Sequence, residues 1–128
     1  MLVLTVLELT GCKSAKVLRG DWNACDYEEE TFTITFEEKA MIIDKGKAEG
    51  TYELTQNAMG LQGDASYYAM IIQGKTYAII FPTRNGNEAL FIEPTSTENY
   101  FNGNLIYVMN RKEIPSFAEY APLWEGKK

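Results

Sequence analysis

Thr31-Phe32-Thr33-Ile34-Thr35-Phe36 alternates strictly between threonine and a large apolar side chain. A period of two puts every apolar residue on one face of a β-strand, and no helix has that repeat. Similar alternation recurs along the body of the chain, while apolar spacing near 3.6 residues is rare. It predicts eight strands, at 17–23, 31–36, 40–44, 47–55, 66–73, 75–81, 88–93 and 104–111. The turns between them are marked by Lys45-Gly46, Gln73-Gly74-Lys75, Asn85-Gly86 and Asn102-Gly103. Asn85-Gly86 is expected to supply the positive φ of a tight hairpin.

No connection carries an amphipathic helix, so parallel strands with helical crossovers are excluded. Short strands in simple succession predict an all-β fold, a single eight-stranded antiparallel up-and-down barrel. Closure removes the exposed edges that an open meander would leave. Eight strands also leave an interior wide enough for one small ligand.

The hairpin of Tyr67-Tyr68-Ala69-Met70-Ile71-Ile72 and Thr76-Tyr77-Ala78-Ile79-Ile80-Phe81 is apolar on both faces. One face belongs inside the barrel. The other needs a cover, either the tail 112–128 packed on the barrel or a second copy of the protein. Pro115, Pro122 and Trp124 make that tail a poor strand, whereas 116–120 suits one helical turn.

At 128 residues the chain fits one domain, and a chain of this size buries roughly two thirds of its unfolded surface. The net charge of −6 argues against nucleic acid, because phosphate contacts need clustered Lys and Arg. There is no His, so the usual acid/base group near neutral pH and the commonest zinc ligand are both missing. Cys12 and Cys25 cannot make a metal site by themselves, and no cofactor or metal is expected. Glu28-Glu29-Glu30 reads as a solvated loop. No glycine-rich phosphate loop and no serine nucleophile setting is present, so no enzymatic activity is expected.

Leu2-Val3-Leu4-Thr5-Val6-Leu7-Glu8-Leu9 precedes Thr10-Gly11-Cys12. Leu9-Thr10-Gly11-Cys12 resembles the lipobox of bacterial lipoproteins, in which the Cys sulfur receives a diacylglycerol and the chain is cut just before it. The resemblance implies that 1–11 is the remnant of an export signal, with Cys12 lipidated and 12–16 a tether. The protein is then anchored on the extracytoplasmic face of a bacterial membrane. The alternative is that 2–9 is an ordinary first strand, since Val3, Thr5 and Val6 suit one.

Gly20-Asp21-Trp22 on the first strand of such a barrel resembles the Gly-x-Trp signature of the calycins, the lipocalin-like superfamily. Tyr107-Val108-Met109-Asn110-Arg111 resembles the Tyr-x-Leu-x-Arg ending of small bacterial lipocalin-like domains. The resemblance covers 17–111. It implies that Trp22 closes one end of the barrel and that Arg111 packs over its indole, a structural role for Gly20, Trp22 and Arg111.

Eight tyrosines are the unusual part of the composition. Tyr68, Tyr77 and Tyr107 fall on central strands, where they can face inward with Met70, Ile79, Phe91 and Met109. These seven either fill the core or line a pocket in which phenol hydroxyls orient a mostly apolar ligand. The functional expectation is a non-enzymatic lipoprotein binding a small apolar or amphipathic molecule. The alternative is a protein-interaction or inhibitor module that uses the outer face of the barrel.

Overall fold

The computed structural model describes residues 15–96 and 98–125, with side chains up to residue 122. Eight antiparallel strands follow one another around a closed up-and-down barrel. They are β1 (Gly20–Cys25), β2 (Thr31–Phe36), β3 (Ala40–Asp44), β4 (Glu49–Gln62), β5 (Ala65–Ile72), β6 (Lys75–Phe81), β7 (Glu88–Pro94) and β8 (Gly103–Asn110). β1 pairs with β2 along one edge and with β8 along the other, which completes the ring. Among the described residues one helix, α1 (Phe117–Glu125), follows the barrel. The architecture is compatible with a lipocalin-like fold.

Alternation decides which side chains go inside. Phe32, Ile34 and Phe36 of β2 enter the interior cluster with Trp22, Met70, Ile79 and Met109. Full burial of a side chain of this kind is worth roughly 1.5–3 kcal/mol, so the middle of the barrel is held mainly by close packing. A second apolar cluster lies outside the wall. It joins Ala78 and Ile80 of β6, Leu90 and Ile92 of β7 and Val108 of β8 to Phe101 and Tyr120. The outer face of the two-faced hairpin is therefore partly covered by the β7–β8 loop and by α1.

The start of α1 is fixed by the β1–β2 loop, beside the seam where β1 meets β8. Glu29 accepts the Ala118 backbone N–H at 3.0 Å and the Ser116 hydroxyl at 3.1 Å. A carboxylate at a helix N-terminus satisfies free N–H groups and meets the positive end of the helix dipole. Glu29 has φ 63°, in a turn where Asp26 Oδ1 accepts the N–H groups of Glu28 and Glu30. The acidic run thus includes a helix cap.

Several boundaries differ from the sequence expectation. β1 begins at Gly20 instead of residue 17, because 15–18 form a turn closed by Leu18 N–H on the Ala15 carbonyl at 3.0 Å. β4 runs on to Gln62 instead of stopping at 55. Its second half, Gln56-Asn57-Ala58-Met59-Gly60-Leu61-Gln62, has weak strand preference, but β5 pairs with it to the end around a bulge at Asn57. Pairing to a strongly strand-forming neighbour overrides local preference. The Asn85-Gly86 turn is not a tight hairpin, since Gly86 is absent from the positive-φ residues. The segment is instead held by Asn85 N–H on Thr83 Oγ1 at 3.2 Å and Asn87 N–H on Asn85 Oδ1 at 2.9 Å. Gln73-Gly74 does form the two-residue turn, with φ 51° and 81°.

Candidate ligand-binding site

The two ends of the barrel are built differently. At one end Trp22 is buried, and its Nε1–H donates to the Leu18 carbonyl at 2.8 Å. Arg111 lies over the indole with its guanidinium carbon 4.0 Å from the ring centroid, and it donates to the Val17 carbonyl. Gly20, with φ 103°, leaves room for this: a Cβ there would sit 3.3 Å from Arg111 Nη1. Ala15 N–H donates to the buried Gln56 side chain at 2.8 Å. The 15–19 segment, Trp22 and Arg111 together make a plug.

The opposite end holds a cavity of about 220 Å³. Tyr77, Phe91 and Tyr107 form one wall. Their rings stand in sequence, with centroids 5.2 Å apart for Tyr77–Phe91 and 5.3 Å for Phe91–Tyr107. Phe32 continues the row, edge-on to Tyr107 at 5.0 Å. Tyr52, Met41, Ile43 and Ile72 face them from β3, β4 and β5, with Gln73 and Lys75 at the β5–β6 turn. Tyr52 lies along its own strand above Gly50, where an added Cβ would come within 2.6 Å of the phenol oxygen. Burial raises the Tyr107 phenol pKa, helped by Tyr52, Asp26 and Tyr77, so it stays neutral at physiological pH.

Charge lies at the rim of this site. Lys75 pairs with Glu93 at 3.4 Å, and Lys45 pairs with Glu30 at 3.7 Å. The Lys45 ammonium also stands 4.9 Å over the Phe32 ring. The cavity lining contains no carboxylate and no thiol. Among the described residues no group of three or more His, Cys, Asp or Glu could hold a metal.

The seven tyrosines, methionines and apolar residues singled out from the sequence divide by depth. Tyr77, Phe91 and Tyr107 line the cavity. Met70, Ile79 and Met109 face the same interior but are completely buried in the packed middle, so they form its filling. Tyr68 lies toward the plugged end, packed on Phe81 and lining a separate recess with Arg84 and Leu61. Parity along a strand fixes the face of a residue but not its height in the barrel. Cys12 lies outside the described residues. Cys25 is a buried free thiol on the outer face, its pKa pushed up by burial.

Sequence reasoning missed Tyr52, Met41, Ile43, Ile72 and Ile106. Ile72 shares parity with Tyr68 and Met70 on β5 and could have been found that way, whereas Met41, Ile43 and Tyr52 lie on β3 and β4, where no residue was chosen. Ile106 could not be found by parity. It is the extra residue of a β8 bulge, because Phe91 pairs with Tyr107 and Ile92 with Leu105.

Comparison with known proteins finds no matching family model, no matching curated protein and no matching solved structure.

Proposed function

We propose that this barrel is a non-catalytic binding protein that takes a small apolar or amphipathic molecule at its aromatic end. The observation that carries the reading is the cavity of about 220 Å³ lined by Tyr77, Phe91, Tyr107 and Tyr52 in a barrel plugged at the other end. An apolar cavity of about 150 Å³ accepts benzene, so this one suits a ligand of roughly nine heavy atoms. Apolar walls with a few phenol groups are the usual make-up of such sites. The reading that the outer face binds a protein has less support, because Phe101, Phe117 and Tyr120 pack against that face.

An anchor at Cys12 fits this orientation. The 15–18 turn lies at the plugged end, and the four residue steps from Cys12 to Lys16 reach no more than about 14 Å. A lipid on Cys12 would therefore hold the plugged end near the extracytoplasmic membrane surface and leave the cavity mouth free. The lipobox-like Leu9-Thr10-Gly11-Cys12 supports the anchor.

Both parts are testable. Titration with benzyl alcohol, followed by NMR, is expected to shift Tyr77, Phe91 and Tyr107 saturably and to raise Tm. Absence of saturable shifts would remove the pocket reading. Mass spectrometry of protein from its native host is expected to find Cys12 as a diacylglycerol-modified first residue, and an unmodified Cys12 in mature protein would end the anchor reading.

A further inference from the structure

We infer that the ligand of this cavity carries an alkylated ammonium group, a quaternary or methylated amine, with a small apolar body. The inference rests on the pocket reading above and adds the charge of the ligand.

Three observations bear on it. The first is the wall itself. Tyr77, Phe91 and Tyr107 line the cavity with centroids 5.2 and 5.3 Å apart, and Phe32 continues the row beyond the lining, 5.0 Å from Tyr107. The faces of such rings carry partial negative charge and attract cations, more strongly where water is excluded. The second is that a cation already sits on this row, because the Lys45 ammonium stands 4.9 Å over Phe32. The third is the field at the mouth. The four turns at this end and the strand ends beside them carry eight carboxylates, at 26, 28–30, 44, 49, 93 and 98, against lysines 45, 47 and 75. That is a net charge of −5 of the chain's −6.

The two lysines nearest the cavity do not reverse this field. Lys75 is paired with Glu93 and Lys45 with Glu30. A net excess of negative charge around an apolar mouth raises the local concentration of cations and disfavours anions, with Lys75 of the lining offset by Glu93. The plugged end shows no such excess.

The absence of a carboxylate from the lining selects the kind of cation. A buried primary ammonium has three N–H donors to satisfy, and leaving any unmet is costly. A quaternary ammonium has none. Its charge is spread over methyl groups that pack against rings as apolar surface does, so it suits a lining of phenol and phenyl rings.

The test is calorimetric titration of the full-length protein with three shape-matched probes: choline, the neutral 3,3-dimethylbutan-1-ol and the anionic 3,3-dimethylbutanoate. Choline is expected to bind roughly 2- to 30-fold tighter than the neutral isostere, and the anion weakest. The choline advantage should shrink as NaCl is raised, because the rim contribution is screened. Tyr77→Leu, checked for an unchanged fold by circular dichroism, should bring choline and the alcohol toward parity. If the alcohol or the anion binds as tightly as choline to the unaltered protein, the inference is overturned and the pocket reading stands. If none of the three binds, both are overturned.

Discussion

The Arg111 guanidinium lies flat enough on Trp22 to bring its carbon within 4.0 Å of the ring centroid, joining the end of the last strand to the first. One side chain closes the barrel twice over. It stacks on β1 through the indole, and it donates to the Val17 carbonyl in the segment that caps the end. Burial lowers the Arg111 pKa from its ordinary value, yet the group stays charged at every physiological pH.

Replacing Arg111 with Ala is expected to destabilise the fold by about 2–5 kcal/mol, the sum of a cation–π contact and one charge-assisted hydrogen bond. Arg111→Lys should recover little, since an ammonium cannot stack as a plane and donate sideways at once. Urea denaturation of both variants checks this. Equal stability of Arg111→Ala and the unaltered protein would show the stack to be incidental.

Gly50→Val addresses the other end. A Cβ at position 50 would come within 2.6 Å of the Tyr52 oxygen, so a branched side chain must push that ring off its strand. Strand preference favours valine over glycine, so the fold should survive with stability changed by less than about 1 kcal/mol. Binding of benzyl alcohol is expected to weaken several-fold in the same variant. Loss of fold with binding intact in the remaining folded fraction would mean that Tyr52 does not shape the cavity.

Glu29 predicts a pH dependence confined to the tail. The Ala118 backbone N–H, and then Ser116, hold its carboxyl below the ordinary value of 4.5. A depressed carboxyl stabilises the folded state fully above that ordinary value. The contribution is lost as pH falls from 4.5 toward and through the lower folded value. The neighbouring Cys25 thiol has a raised pKa and stays protonated throughout this range. The protection factor at the start of α1, corrected for the intrinsic pH dependence of exchange, should therefore fall below about pH 4.5 while β5 and β6 stay protected. Glu29→Gln should show the lower protection at neutral pH as well. A protection factor in the variant that still rose between pH 3 and 6 would assign the effect to another group.

Much of this barrel was legible because its strands announce themselves by period. Phe32, Ile34 and Phe36 could face only one way, and Gln73-Gly74 could make only a short turn. The cavity was legible in part. Tyr77, Phe91 and Tyr107 were recognisable as inward aromatics, but Met70, Ile79 and Met109 looked the same from sequence. What separates the two groups is height along tilted strands, which depends on register around the whole ring. The second half of β4 was hidden for a different reason, since its pairing comes from β5 and not from its own residues. The Glu29 cap spans 89 positions in the chain, and no local pattern reports such a contact.

Asn110 tests whether α1 is integral to the barrel. It is buried, and its side chain serves three partners at once. Oδ1 accepts the N–H groups of Lys112 and Glu113 at 2.7 and 3.0 Å, which turns the chain out of β8. Nδ2–H donates to the Tyr120 hydroxyl at 2.9 Å, which fastens α1. Asn110→Ala leaves two backbone donors and a buried phenol without these partners, each costing about 1–3 kcal/mol where water cannot replace it. Asn110→Asp keeps the two acceptor contacts and can still accept from the Tyr120 hydroxyl, so it should retain more stability than Asn110→Ala. Tyr120→Phe leaves both backbone contacts in place, removes the Asn110 contact and the hydroxyl's long donation to Glu88 at 3.5 Å, and should cost about 1 kcal/mol. If Asn110→Ala cost no more than Tyr120→Phe, the turn out of β8 would not depend on this side chain, and α1 would be held by the packing of Phe117 and Tyr120 together with the Glu29 cap.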